Sequence, residues 1–191
     1  MNNIDLKNEI IERIKPIISS WNNIIDIYAI SFYVYDNQDN PCEPTITLGF
    51  NTEKNYIENI SNASSNLEAR WNYAFWLQNE ELVFATDETA KIVKQWIIQK
   101  GFPYFTYEEI FHSNVSVDVE EKIEGITNEF LKILISVVKE FHETGFIKNN
   151  FKKEIPIIIH ELEYYDKIAE QNIEANKLEL VQDFVDFIYE K

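Results

Sequence analysis

Residues 24–36, Ile24-Ile-Asp-Ile-Tyr-Ala-Ile-Ser-Phe-Tyr-Val-Tyr-Asp36, decide the fold. The run holds no Gly or Pro and is dense in β-branched and aromatic residues, so it reads as a strand. Its length suits the middle of a sheet. Side chains alternate across a strand, which puts Tyr28, Ile30, Phe32 and Val34 on one face. Ile25, Ile27, Ala29, Tyr33 and Tyr35 fall on the other, with Ser31 the polar member. Apolar residues on both faces require cover on both faces.

Working outward, residues 4–21 repeat Ile10, Ile14, Ile17, Ile18 and Trp21 at helical period, and Pro16 inside that pattern predicts a kink or break near Lys15. Residues 36–44 carry the Asn, Asp and Pro of a turn. Residues 45–51 alternate Ile46, Leu48 and Phe50 against Thr45, Thr47 and Gly49, a second strand antiparallel to the first. Thr52 caps a short helix over 53–60. The aromatic-rich 67–78 reads as a short helix feeding a strand near 81–85. Thr86 then caps a helix carrying Ile92, Val93, Trp96 and Ile97, stopped by Gly101 and Pro103. Residues 102–117 lack a clean period and read as irregular. A long helix over 118–144 carries the stripe Ile123, Ile126, Phe130, Leu134, Val137 and Phe141, with Gly145 at its end. Residues 154–165 read as a strand opened by Pro156. Asn176 and Glu179 form a capping-box pattern for a closing helix. The expectation is one α+β domain over 1–191: a mainly antiparallel sheet of about four strands packed with helices, with an N-terminal helix inside 1–23 and a C-terminal helix inside 166–191.

The charge excludes several function classes. The chain has 33 acids against 17 bases, a net of −16. Residues 1–100 hold 14 acids and 8 bases, and residues 101–191 hold 19 and 9, so the excess is −6 and then −10. Such a field repels a phosphate backbone or an anionic membrane and attracts a basic protein. No nucleic acid and no membrane is therefore expected as a partner. A single cysteine, Cys42, allows no intramolecular disulfide and fits a reducing compartment. With neither a signal-peptide pattern nor a long uninterrupted apolar run, the expected location is cytoplasmic.

Motifs for chemistry are sparse. Gly49, Gly101, Gly125 and Gly145 are too scattered for a phosphate-cradling loop, and no serine sits in a Gly-x-Ser-x-Gly elbow. His142-Glu143 and His160-Glu161 would need a second histidine three residues past each glutamate to make a zinc-protease site, and Phe146 and Tyr164 stand there. Nothing local gathers His112, His142 and His160 around a metal, so neither metal nor cofactor is expected. Paired carboxylates could serve acid–base chemistry: Glu161 with Glu163, or Glu120, Glu121 and Glu124. A solvated strand face accounts equally for the first group, and the helix dipole for the second.

The order of pieces resembles a loosely defined family of small bacterial proteins associated with polymorphic or contact-dependent toxins. The landmarks are the strand at 27–36, the Thr-rich strand and turn at 47–53, the Trp-x-x-x-x-Trp segment at 71–76, the long helix at 118–144 and the late strand at 155–162. The resemblance implies an immunity-type protein that neutralises a toxin by binding it, and it carries over no catalytic residues. The expected partner is a basic protein. The expected contact residues are the acids Glu108, Glu109, Asp118, Glu120 and Glu121 around an aromatic anchor of Trp71 and Trp76. An enzyme using a carboxylate pair, or a small-ligand-binding or scaffold protein, forms the second class of reading.

Overall fold

The computed structural model describes residues 4–112 and 117–190. The decisive stretch forms strand β1 (Ile27–Asp36), and Asn- and Asp-rich residues turn it back into β2 (Pro44–Thr52). The two pair antiparallel from Ile27 with Thr52 to Asp36 with Pro44. Strand β3 (Leu82–Phe84) adds antiparallel to β2, and β4 (Ile157–His160) adds parallel to the far side of β1. The sheet order is β3-β2-β1-β4, so β1 lies inside it, as its two apolar faces require. Two of the three pairings are antiparallel. The single-domain α+β reading holds.

One face of the sheet is covered by α1 (Leu6–Ser20), α4 (Asp87–Gln99) and α6 (Val117–Glu143). Phe32, Ile46, Leu48, Phe84 and Ile159 lie under them among Ile10, Ile14, Trp96, Phe130 and Leu134. All six residues of the predicted α6 stripe are buried. On the other face a smaller cluster forms around Trp71, Trp76, Phe184 and Ile188, carried by α3 (Asn66–Trp71), the 3-10 turn Tyr73–Phe75 and α9 (Leu178–Tyr189), with Tyr56 of α2 (Glu53–Asn59) packed against it. A register shift between Ile27 and Ala29 interrupts the simple alternation. Ile27 therefore packs into the first cluster while Tyr28 and Ala29 both enter the second.

Several expectations change. Helix α1 continues through Pro16 to Ser20. The carbonyl that Pro16 leaves without a donor belongs to Glu12, on the exposed side, where water can take it, while Ile14 and Ile18 anchor both halves. Residues 107–112 of the expected irregular segment form a short helix, α5 (Tyr107–His112). Gly145, in the left-handed region at φ 69°, ends α6 and starts α7 (Phe146–Phe151), which has no clear period of its own.

The last third departs furthest. Only four residues of 154–165 are strand, and the C-terminal helix is two helices, α8 (Asp166–Ala175) and α9. Asn176 does not begin α9. It closes α8 and turns its amide onto the outer edge of β4, with Oδ1 accepting from the Ile157 amide at 3.0 Å and Nδ2 donating to the Ile157 carbonyl at 2.9 Å. One turn earlier Asn172 does the same for Ile159, at 2.9 and 2.7 Å. The helix thus supplies the hydrogen bonds that a further strand would make, and β4 is closed as an edge. His142 joins this network, with Nε2 3.1 Å from Asn176 Oδ1 and Nδ1 3.1 Å from Glu154 Oε2. Burial pulls the Glu154 carboxyl up, but the His142 hydrogen bond and the charge of Lys177 outweigh it and hold it below the usual range.

Candidate functional site

The parallel ladder between β1 and β4 ends at the Tyr33–His160 pair, whereas β1 runs on to Asp36. Beyond that point the two chains diverge. β1 turns toward β2, and β4 leaves through Glu161 and Leu162 toward α8. A crevice opens wherever neighbouring strands depart in opposite directions from their carboxyl ends. Here it is a groove of about 230 Å³ lined by Tyr33, Val34, Tyr35, Asp36, Glu161 and Leu162, with Thr127 of α6 on its wall.

Its aromatic side is a stacked column. Tyr33 and Tyr35 point from the same face of β1, with ring centroids 5.3 Å apart and planes 25° from parallel. Tyr73 stacks on Tyr33 at 5.2 Å and 21°. Under the column lies His160, 4.6 Å from the Tyr73 ring and fully buried. Its Nδ1 donates to the Glu161 carbonyl at 3.0 Å, which leaves Nε2 to accept from the Ser31 hydroxyl at 2.8 Å. Burial holds the imidazole down at about 4, so it is neutral at neutral pH. A Ser–His pair at this distance is the arrangement of an activated nucleophile. Ser31 is only 3% exposed, however, and Tyr33, Tyr73, Trp76 and Tyr164 surround the imidazole, so the pair is a buried polar contact that orients the column.

The acidic side consists of Asp36 and Glu161. Burial, then the charges of Glu161 and Asp39, push the Asp36 carboxyl up to about 6. Glu161 accepts from the Tyr165 hydroxyl at 2.9 Å, and burial together with that bond pushes the Tyr165 phenol up to about 12. Among the described residues neither carboxylate forms an ion pair with a cation. A larger cleft of about 510 Å³ lies between α1 and α4, but its polar groups are mostly committed. Lys7 pairs with Glu140, Asp5 caps its own helix, and Gln99 accepts from the Ile4 amide.

The predicted contact residues are dispersed. Trp71 and Trp76 are 3% and 5% exposed, packed on Tyr28 and on each other, so neither indole offers a surface anchor. The aromatic density of that segment reflects core filling. Glu108 and Glu109 are exposed on α5, but Glu109 bends back to accept from the Thr106 amide at 2.8 Å as half of a capping box. Glu121 is exposed on α6, and the side chains of Asp118 and Glu120 lie outside the described residues. The acid pair Glu161 and Glu163 does not share a strand face, since the strand has ended. Glu161 lines the groove with Asp36 instead, and Glu163 faces solvent.

Among the described residues no group of three His, Cys, Asp or Glu is placed to hold a metal ion, and no helix is long and apolar enough to cross a membrane. The side chain of His112 lies outside the described residues. No known family model matches this chain, and no curated protein or solved structure matches it.

Proposed function

We propose that this chain is a non-enzymatic acidic binding protein and that the groove at the carboxyl ends of β1 and β4 receives a basic segment of a partner protein. One observation carries this reading: two part-buried carboxylates stand beside a tyrosine column with no cation of their own among the described residues. Bringing like charges together at a partly buried place costs free energy, and a cation supplied by a partner removes that cost. The groove's size favours the same reading. At about 230 Å³ it falls below the roughly 300–1,000 Å³ of small-molecule pockets, which suits one side chain better than a nucleotide or organic cofactor. The net charge of −16 draws basic proteins toward the surface and speeds their encounter. A basic toxin is the partner implied by the family resemblance, and neutralisation would follow from occupying its surface.

The test is a titration of isotope-labelled protein with a short peptide of alternating lysine and arginine, followed by NMR. Shifts should map to Tyr33, Tyr35, Asp36 and Glu161, and Asp36→Asn with Glu161→Gln should weaken binding at least about tenfold, equivalent to about 1.4 kcal/mol. Shifts confined to α5 and α6, or unchanged binding by the double variant, would overturn the reading.

The Asp36–Glu161 pair favours a second reading as an acid–base dyad, because two carboxyl groups lining one groove, one of them pushed up to about 6, is the pattern of a general acid and its partner. On that reading the double variant would abolish turnover of a small substrate and leave basic peptides bound as before.

A further inference from the structure

We infer that His142 is a proton-dependent clasp between the end of α6 and the edge of β4: its ring fastens Asn176 when it carries two N–H groups and releases it when it carries one. The inference is independent of the groove and of what binds there.

Donor counting carries it. Asn176 has no choice of orientation, because its Oδ1 accepts from the Ile157 amide at 3.0 Å while its Nδ2 donates to the carbonyls of Ile157 and Asn172 at 2.9 and 3.2 Å. Turning that amide over sets its oxygen against two carbonyls and its nitrogen against an N–H. The His142 Nε2, 3.1 Å from the fixed Oδ1, therefore makes a hydrogen bond only as N–H. On the other side Nδ1 lies 3.1 Å from Glu154 Oε2, and a carboxylate also only accepts. Two acceptors call for two ring protons, which the imidazolium alone supplies. Its charge is well placed in the last turn of α6, where the carbonyl end of the helix favours a cation.

Loss of one proton forces a choice between the two bonds. The carboxylate keeps its N–H, since a bond to a charged acceptor is the stronger. The bare Nε2 then faces the Asn176 oxygen, lone pair to lone pair. A cavity of about 370 Å³ lined by Lys139, Glu143, Glu174 and Lys177 adjoins His142 and Asn176, and it gives the ring room to move and the proton a route. The side chain is otherwise 5% exposed. The other charges around the ring are already matched. Lys139 and Glu174 pair at 2.9 Å, and Lys177 lies 3.5 Å from the second oxygen of Glu154. From α1, Lys7 and Lys15 reach Glu140 instead, and α7 meets this end of α6 through Phe146 on Phe141. Glu143 follows His142 in the chain and is exposed.

The test follows the imidazole nitrogens of His142 by NMR in the isotope-labelled whole chain over about pH 5–8, the interval in which histidine changes charge. At the acid end both nitrogens should carry protons. At the alkaline end Nδ1 should keep its proton and Nε2 lose it, while the Asn176 side chain and the Ile157 amide shift with the same midpoint. Protection of the Ile157 amide, corrected for the intrinsic rise of exchange with pH, should fall about tenfold, equivalent to about 1.4 kcal/mol. Glu154→Gln supplies the second arm. Its amide can donate to Nδ1, so a neutral ring can hold its proton on Nε2 and the clasp should stay closed throughout. Asp36, pushed up to about 6, titrates in the same interval but is retained in this variant, so the movement lost in Glu154→Gln is the clasp's own. Titration of His142 without movement of Asn176 and Ile157 overturns the inference. So does an Nε2 that keeps its proton at the alkaline end, a ring that never changes charge over the range, or movement that persists in full in Glu154→Gln.

Discussion

His160 accepts the hydroxyl proton of Ser31 across the β1–β4 ladder at 2.8 Å while fully buried as a neutral ring. A histidine whose folded value falls from 6.5 to about 4 resists protonation in the native state only. Between those values the unfolded chain binds the proton and the native chain does not, so stability should rise with pH through that window and be lost as the pH drops. The difference corresponds to about 3 kcal/mol. Urea denaturation across pH 4 to 7 checks it, and a His160→Gln variant should show a much flatter slope over the same range.

Asp36 runs the other way. Its folded value is raised from 3.8 to about 6, so the native state holds the proton longer than the unfolded chain, and stability should fall as the pH rises through that window. Its surroundings are acidic: Glu161, Asp39 and the phenols of Tyr33 and Tyr35. Asp36→Asn should therefore stabilise the protein at pH 7.5, by about 1 kcal/mol after allowance for solvent screening, and leave it little changed at pH 4. An equal or lower melting midpoint at pH 7.5 would count against the described environment. Because the two effects oppose each other, Asp36→Asn should also expose a steeper His160 slope.

The side chain of Asn176 serves four groups at once: the amide and carbonyl of Ile157, the Nε2 of His142, and the carbonyl of Asn172, which keeps a second donor in the Asn176 backbone amide. Asn176→Leu should leave these buried groups unmet, at about 1–3 kcal/mol for each one that water cannot reach. Asn176→Asp tests the geometry more finely, because a carboxylate can still accept from Ile157 but cannot donate to its carbonyl. Hydrogen exchange at Ile157 and Ile159 should speed up in both variants before the rest of the sheet does.

Gly49 sits in the middle of β2, where an added methyl would lie 2.5 Å from the Asn79 carbonyl oxygen. Asn79 is fixed there by its own side chain, which accepts from the Phe50 amide at 3.1 Å. Gly49→Ala should destabilise by about 1–3 kcal/mol, the usual range for overpacking. Gly125→Ala meets only the tip of the Phe102 ring, at 2.9 Å, and should cost less because that ring can swing. Chemical denaturation of the two variants side by side gives the comparison.

Where one period dominates, the sequence reading holds. β2, α4 and α6 each repeat their apolar residues at a single spacing, β1 is marked instead by its unbroken β-branched and aromatic run, and the structure keeps all four within a few residues. The last third defeats that logic because β4 is buried on both faces and along its outer edge, so no alternation marks where it stops. Asn172 and Asn176 look like ordinary helix or cap residues, and only their orientation toward β4 reveals their role. The groove was half visible. Tyr33, Tyr35 and Asp36 belong to the decisive stretch, but Glu161 reaches them only through the parallel register of β1 and β4. Trp71 and Trp76 show the converse limit, since clustered aromatics do not declare whether they face inward or outward.

The pairing of α8 with β4 has a metric consequence. The two rungs join residues four apart on the helix to residues two apart on the strand, in opposite directions: Asn172 with Ile159 and Asn176 with Ile157. Four helical residues advance about 6.0 Å, and two strand residues about 6.6 Å. Two rungs therefore fit with a mismatch of about 0.6 Å, which side-chain torsions absorb, while each added rung would accumulate the error. The helix also rotates about 40° per four residues, carrying further amides away from the strand. A helix can thus act as a ruler for a short strand but not a long one, which gives a physical reason for β4 to end after four residues, at the place where the groove begins.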